Sequence, residues 1–249
     1  MRFLVIFVAI LIALGSVARA QASDELELSR LSQSASQAYA QGNLENAVTD
    51  LRAMLAILLQ KPGEDYGDKA SVAYDLAIIL EELGRHAEAQ SVHPISVREA
   101  IRYFGENSPK ALRAEGALAS NLAALGKFTE AEALFRDILE NRGNIAEQDE
   151  GVRAIIIGNY ASMLGAKGDH TKAERYHREA LAMKERVFGL GAEETLRTLN
   201  NLAVNLENQG RTEEAGSLMT SLMQASILSD EANASDLADR MSGFAVGLD

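Results

Sequence analysis

The sequence predicts an all-α protein in which helix-turn-helix repeats stack into a solenoid. Glycine recurs every 42 residues from Gly42 to Gly210, and alanine recurs in phase with it. The segments between these breakers are long enough for helices and too long for strands. Alanine, the best helix former, makes up 40 of the 249 residues, as expected for helices whose backbones pack closely.

The composition excludes several kinds of function. The chain has 47% apolar and 24% charged residues, the proportions of a folded globular protein. Because it contains no cysteine, it has no disulfide, iron–sulfur cluster, thiolate zinc site or thiol nucleophile. Its formal net charge of −12 argues against nucleic acid or anionic lipid as the main partner.

Residues 1–20 have the organisation of a secretory signal peptide. Arg2 precedes 13 consecutive apolar residues, and Ala18 and Ala20 occupy the small-residue positions of a cleavage site. An uncleaved anchor is less favoured, since crossing a bilayer takes roughly 20 apolar residues. We expect cleavage near Ala20 and an exported protein, periplasmic or secreted, that contacts the membrane only before cleavage. The mature chain would be residues 21–249.

Three sets of phased small residues define the repeat. A glycine turns the chain between the first helix of each repeat (helix A) and the second (helix B), in the left-handed conformation that glycine tolerates. One alanine lies seven residues before each glycine and another lies five residues after it, on facing helices where larger side chains would separate the backbones. The phased residues are Gly42, Gly84, Gly126, Gly168 and Gly210, Ala35, Ala77, Ala119, Ala161 and Ala203, and Ala47, Ala89, Ala131, Ala173 and Ala215.

This pattern resembles the tetratricopeptide repeat, in the 42-residue version found in kinesin light chains. The resemblance rests on the residues around Asn200 to Ala203 and Gly210 to Ala215, and on their counterparts in the third repeat. It implies a right-handed solenoid of five repeats plus a C-terminal capping helix, with the A helices lining a concave groove. The repeats would span about 28–69, 70–111, 112–153, 154–195 and 196–237, and the cap about 238–249.

Two departures from the pattern lead to further expectations. The A helix of the first repeat is polar around Ser32 to Ser36, which fits an N-terminal cap that leaves one end of the solenoid in water. Pro94 falls inside helix B of the second repeat. Because proline removes a backbone hydrogen bond, we expect a kink there, or a break into helices 86–92 and 95–104. Such a kink would be a tolerated irregularity or a hinge.

The four histidines form two pairs with a spacing of seven residues, His86 with His93 and His170 with His177. Metal-binding pairs on a helix are usually four residues apart. The same slots hold Phe128 and Phe135 in the third repeat. We therefore interpret the histidines as rings packed between helices, and a metal-dependent enzyme as the less favoured alternative.

The sequence contains no recognisable catalytic constellation. It lacks the nucleophile-elbow, phosphate-loop and paired-histidine zinc motifs. We therefore predict no catalytic residue, no metal and no cofactor, and interpret the chain as a binding module that is not an enzyme.

The resemblance assigns side chains to the concave groove. These positions lie about 13, 10, 9, 6 and 3 residues before each phased glycine. Asparagine amides there would both donate to and accept from a peptide backbone, and arginine would recognise carboxylates. The alternative is that the asparagines cap loops or bond to neighbouring helices. The predicted site residues are Asn159, Asn201, Arg197, Asn200, Arg113, Asp75 and Tyr74.

Two functions remain open from the sequence. The first is an exported, non-catalytic scaffold that holds a peptide or protein segment in the groove. The second is an accessory subunit of a cell-envelope assembly that docks through the convex face or the helix ends. The sequence does not identify the partner or the oligomeric state.

Overall fold

A computed structural model describes residues 23–61, 66–141, 149–218, 220, 221 and 224, and all regular structure within these ranges is helical. The chain divides into two compact units, residues 1–106 and 107–249. The predicted signal peptide at 1–20 and the predicted cap at 238–249 lie outside the described residues.

The first unit contains two helical pairs. Helix α1 spans residues 23–40, α2 spans Leu44–Gln60, α3 spans Tyr66–Glu82 and α4 spans His86–Phe104. Helix α3 packs against both α2 and α4. The α1 stripe that includes Leu31 and Ala35 is buried in one apolar core with residues of the other three helices. The polar side chains of α1 therefore lie on either side of a buried apolar stripe.

The second unit continues the pattern. Helix α5 spans Pro109–Ala124, α6 spans Phe128–Arg136 and runs on as a π-helical turn at Asp137–Asn141, α7 spans Glu150–Lys167, α8 spans His170–Phe188 and α9 spans Glu193–Asn208. Helix α10 begins at residue 212. Helix α7 packs against α5 and α8, and α9 packs against α8 and also touches α7.

The five predicted glycine turns are present. The φ angles of Gly42, Gly84, Gly126, Gly168 and Gly210 lie between 71° and 95°. In each turn, the backbone N–H of the residue after the glycine donates to the carbonyl of the residue four positions before the glycine. Around Gly84, for example, Arg85 N donates to Leu80 O at 2.8 Å. This bond closes the end of helix A, because it satisfies a carbonyl that has no partner within the helix.

Short polar side chains fix where several helices begin. Ser108 Oγ accepts from Ala111 N at 3.2 Å, with Pro109 in the first helical turn of α5, and Asp149 Oδ1 accepts from Val152 N at 3.0 Å. The A helices of repeats two to five begin at residues 66, 109, 150 and 193, a few residues before the predicted repeat starts, and the caps at Ser108 and Asp149 precede two of them. A period fixes the phase of a repeat, whereas capping decides the first helical residue.

The ten phased alanines are all buried, and nine of them are no more than 1% exposed. They pack where helix A meets helix B. Alanine at these positions lets the backbones approach closely, and a larger side chain would have to displace a neighbouring helix. Their burial is what the predicted role at close helix contacts requires.

The predicted break at Pro94 is wrong, because α4 runs without interruption through the proline. Two side chains next to Pro94 hold this stretch of α4 against α3. His93 Nε2 lies 2.9 Å from Glu81 Oε1, and Ser96 Oγ donates to Ala70 O at 3.1 Å. These contacts on both sides of the proline compensate for the single backbone bond that it removes.

Candidate functional site

The predicted site residues fall into two sets. Arg113 lies on α5, Asn159 on α7, and Arg197, Asn200 and Asn201 on α9, all within the second unit. Tyr74 and Asp75 lie on α3 in the first unit, where Tyr74 is half-buried and Asp75 is exposed.

Helix α9 has one buried face and one polar exposed face. Leu199, Leu202, Ala203 and Leu206 are buried in the contact with the preceding helices. On the other face, side chains spaced by three or four residues lie next to one another. That face carries Arg197, Asn200, Asn201 and Val204, which we call the α9 polar face.

Helix α7 places two polar side chains beside the α9 polar face. Asn201 Nδ2 donates to Ser162 Oγ at 3.2 Å, and Ser162 Oγ donates to the carbonyl of Gly158 at 3.1 Å. Asn159 lies one turn before Ser162 and is half-buried. The bond between Asn201 and Ser162 therefore joins two neighbouring A helices, and Asn201 uses one amide hydrogen within the protein.

Most of the polar groups on this surface retain hydrogen-bonding capacity. Within the part of the chain that the structure describes, the side chains of Asn159, Asn200 and Arg197 make no hydrogen bond, and neither does Asn201 Oδ1. Arg197 and Asn200 are exposed, and Val204 is 47% exposed beside them. Arg113 is also exposed, on α5. The surface of α7 and α9 thus presents amide donors, amide acceptors and a guanidinium around an exposed apolar side chain.

Three glycines near the predicted groove have packing roles. A Cβ atom on Gly116 would lie 3.1 Å from Ile156 Cγ1, and one on Gly158 would lie 3.4 Å from Lys184 Nζ. A Cβ atom on Gly165 would lie 3.6 Å from Asn205 Oδ1. Gly116 and Gly158 are buried, so position 10 before the phased glycine faces neighbouring helices in repeats three and four. In these two repeats, the position 10 residues before the phased glycine therefore does not open onto a groove.

A buried lysine lies directly beneath the surface of α7 and α9. Lys184 of α8 is 2% exposed, and its ammonium group donates to Thr198 Oγ1 at 2.8 Å and to Glu194 O at 3.3 Å. Burial, and then the charge of Arg197, lower the pKa of Lys184 to about 8, although Glu194 opposes this shift. Lys184 is therefore a buried cation close to a predicted site residue.

Sequence reasoning missed Lys184, although a signal for it exists. The same slot holds Leu58 in the first repeat and Ala100 in the second, and both are buried. Because the first two repeats fill this slot with apolar residues, a lysine there is a signal for a buried charge, although the third repeat holds Arg142 and the fifth Ser226 at the same position. The groove assignment overlooked it because Lys184 lies on a B helix.

Two histidines are packed between helices, as predicted. His93 and His177 occupy the slot of Phe135, and all three side chains are buried. Burial, and then the charge of Lys184, lower the pKa of His177 to about 4, so its ring is neutral at physiological pH. Among the described residues, no group of three or more histidine, cysteine or acidic side chains is arranged to hold a metal ion.

In the first unit, the two predicted site residues Tyr74 and Asp75 are engaged within the protein. Both residues take part in interactions within the protein, and Glu81, two turns further along α3, lies against His93.

None of the described helices is long and apolar enough to span a membrane.

Models of the tetratricopeptide repeat match most of the chain. One matches residues 27–93 and 152–224, and a second matches residues 97–160. The chain therefore belongs to the tetratricopeptide repeat family. No significant match was found among curated protein sequences.

Solved structures share this fold at low sequence identity. A Podosopora anserina protein described as a kinesin light chain with nearly identical TPR-like repeats is 18% identical with a TM-score of 0.61, and the match covers 82% of this chain and 96% of that one. A Rap protein complexed with competence and sporulation factor is 16% identical with a TM-score of 0.70, covering 83% and 55%. NprR in complex with its cognate peptide NprX is 16% identical with a TM-score of 0.64, covering 84% and 58%.

These likenesses establish an all-α tetratricopeptide solenoid and, at such identities, nothing further. They agree with the resemblance to kinesin light chains at the level of fold.

Proposed function

We propose that this protein is an exported, non-catalytic scaffold that binds a peptide or protein segment on the surface formed by α7 and α9. The observation that carries the proposal is the set of polar groups without protein partners on this surface. Asn159, Asn200 and Arg197 make no side-chain hydrogen bond to the rest of the described chain, although the surrounding helices are well packed.

The chemistry of this surface suits an extended segment. An amide side chain can donate to a backbone carbonyl and accept from a backbone amide, whatever the sequence of the segment. Val204 adds exposed apolar area one turn beyond Asn200 and Asn201. The folds of Rap and NprR, whose structures were solved with competence and sporulation factor and with the peptide NprX, give independent support for a peptide as the partner.

In-cell crosslinking of the tagged protein, with mass spectrometry of the captured partner, tests this proposal. The test variant replaces Asn159, Arg197 and Asn201 with alanine. The control variant replaces Thr171, Arg175 and Glu179 with alanine, three exposed residues on α8. We expect the wild type and the control to capture the same partner and the test variant to lose it. Capture that is unchanged in the test variant but lost in the control would contradict the proposal.

A second candidate, docking through B helices or helix ends, is favoured by one apolar patch. Val187, Phe188 and Leu190, at the end of α8 and in the following loop, are 41%, 38% and 46% exposed. Exposed apolar side chains that lie together often mark protein contacts. In the crosslinking experiment, peptides mapped to this patch rather than to α7 and α9 would make the accessory-subunit function the leading one.

Export is part of the proposal and rests on residues 1–20. The test is N-terminal sequencing of the protein recovered from outside the cytoplasm. We expect Gln21 as the first residue. Recovery only from the cytoplasm, with Met1 retained, would contradict export.

A further inference from the structure

The second and fourth repeats carry an equivalent buried histidine in two different settings. His93 of α4 and His177 of α8 occupy the same slot two repeats apart, and each is no more than 2% exposed. In both rings, Nδ1 is buried without a hydrogen-bond partner. The two sites therefore differ at the other ring nitrogen, Nε2, and in the charges around the ring.

His93 has an acidic partner on the facing helix. Its Nε2 lies 2.9 Å from Glu81 Oε1 of α3, and the Glu81 side chain is 19% exposed. A carboxylate at this distance pairs with the positive charge of a protonated imidazole. A proton taken up by the His93 ring would therefore have a counter-ion beside it.

His177 has no such partner. Its side chain makes no hydrogen bond to the part of the chain that the structure describes. Gly165 occupies the position on α7 that Glu81 has on α3. The acidic residue of α7, Glu150, lies in the first turn of that helix and is paired with Arg186. A proton on His177 would therefore be a buried charge without a counter-ion, which is costly.

The charges around His177 do not supply the missing counter-ion. Burial, and then the positive charge of Lys184 on the same helix, lower the pKa of His177 to about 4. On α9, Arg197 and Glu194 act on Lys184 with opposite signs, and His177 is influenced by neither. On α7, burial raises the pKa of Tyr160, so its hydroxyl stays neutral in acid. The closed site therefore resists protonation from every side.

Proton uptake by His177 is consequently tied to opening of α8. In an opened helix the ring is in water, where its pKa is the ordinary 6.5, so the open form takes up a proton before the closed form does. As the pH falls below 6.5, the equilibrium shifts toward the open form, until the closed form is protonated as well near pH 4. Hydrogen exchange measures local openings of this kind.

We propose that His177 makes α8 the acid-labile helix of the second unit, and that mild acid thereby loosens the surface formed by α7 and α9. Helix α8 packs against both of these helices, whereas α7 and α9 share only a small contact. An opening of α8 therefore removes the support that holds α7 and α9 side by side. The consequence for a bound segment rests on the proposed function, whereas the opening itself does not.

Hydrogen exchange of the full chain at pH 7 and pH 5, followed by mass spectrometry, tests this device. After correction for the intrinsic effect of pH on exchange, the opening equilibrium of α8 should rise by about twentyfold, given the two pKa values of His177. That of α4 should rise by less than about threefold, because His93 faces Glu81. The measurement needs no bound partner, so a failure of the proposed binding function leaves it unaffected.

The variant Gly165→Glu supplies the missing carboxylate. A Cβ atom on Gly165 would lie 3.6 Å from Asn205 Oδ1 and 3.7 Å from Ala173 Cβ, which are ordinary contact distances, so a side chain starts there without a clash. This variant should reduce the rise in α8 to less than about fivefold. Gly165→Gln is the matched neutral control for the added bulk and should keep the full rise.

Two further variants change the histidine sites themselves. Glu81→Gln removes the acidic partner of His93 and should make the opening of α4 rise by about fivefold or more in acid. His177→Phe copies Phe135 in the equivalent slot and should abolish the rise in α8.

Three outcomes would overturn the proposal. A rise of equal size in α4 and α8 of the wild type would mean that the whole chain responds to acid. A rise in α8 that persists in His177→Phe would assign the effect to another group, and equal behaviour of Gly165→Glu and Gly165→Gln would mean that the missing carboxylate is not the cause. If α8 opens as expected but the crosslinked partner is captured equally at pH 7 and pH 5, only the link to the binding surface is overturned.

Discussion

Asn205 and His170 are joined by two hydrogen bonds that connect α9 to the start of α8. Asn205 Nδ2 donates to the carbonyl oxygen of His170 at 2.9 Å, and Asn205 Oδ1 lies 3.1 Å from His170 Nδ1 and accepts from it. Asn205 is buried, so an asparagine in the last turn of α9 acts here as a tether between successive repeats. This relationship explains why a poor helix former is found at this position.

The tether predicts a large effect of Asn205→Ala on stability. Removing the amide takes one side-chain donor from the His170 carbonyl, which keeps Gln209 Nε2 at 3.3 Å, and costs about 1 to 3 kcal/mol of unfolding free energy. Urea denaturation followed by circular dichroism measures the change. Asn200→Ala, on the exposed face of the same helix, should cost less than about 0.5 kcal/mol. Equal effects of the two substitutions would contradict the tether.

The phased alanines predict the cost of overpacking. Ala161→Leu or Ala203→Leu inserts three carbon atoms where helix A meets helix B, and should cost about 1 to 3 kcal/mol. The control is Glu213→Gln on an exposed position of α10, with an expected change under about 0.5 kcal/mol. Thermal or urea unfolding of the three variants checks this. A destabilisation as small as that of the control would mean that the alanines do not lie at the close helix contacts.

The lowered pKa of His177 predicts that the folded state loses stability in mild acid. Its pKa is about 4 in the folded chain and 6.5 ordinarily, so the unfolded chain takes up a proton first as the pH falls. The folded state therefore loses stability between pH 6.5 and 4, by up to about 3 kcal/mol in total. His177→Phe, which copies Phe135 in the equivalent slot, should keep the packing and reduce this loss. Urea midpoints measured from pH 7 to 4 give the comparison, and parallel curves for both proteins would contradict the prediction.

The lowered pKa of Glu174 predicts a second loss of stability, at lower pH than that of His177. Burial raises its pKa, but hydrogen bonds from Arg211, Arg178 and Gln209 together outweigh burial and lower the pKa to about 2. Arg211 Nη1 lies 2.6 Å from Glu174 Oε2, and Arg178 Nη2 lies 2.9 Å from Oε1. The stabilisation is present above pH 4.5 and disappears as the pH falls toward 2.

The ionised Glu174 and its hydrogen-bond partners contribute about 2 kcal/mol to the unfolding free energy, a value that is reduced because solvent screens the arginines. Glu174→Gln should lower the unfolding free energy at pH 7 and flatten its fall between pH 4.5 and 2. Glu179→Gln, on the exposed surface of the same helix, is the matched control. If both variants retain the steep fall of the wild type, the Glu174 network does not stabilise the fold.

Local chemistry made most of the fold predictable. A glycine in the left-handed conformation and an alanine at a close helix contact are constraints that act at single residues, so their 42-residue period was visible in the sequence. The unbroken course of α4 through Pro94 was not visible in the sequence. The backbone bond lost at the proline is compensated by contacts of His93 and Ser96 with α3.

The candidate site was only partly predictable, for the same physical reason. The period assigned Asn159, Arg197 and Asn201 to A helices, but the bond from Asn201 to Ser162 depends on how two helices pack. The neighbours of Lys184 on α7 and α9 depend on that packing as well. The sequence by itself determined the repeat, its turns and its helical class, since these follow from the conformational limits of single residues. Only the tertiary structure decided which polar groups are paired and which charges are buried, since those depend on distances between residues far apart in the chain.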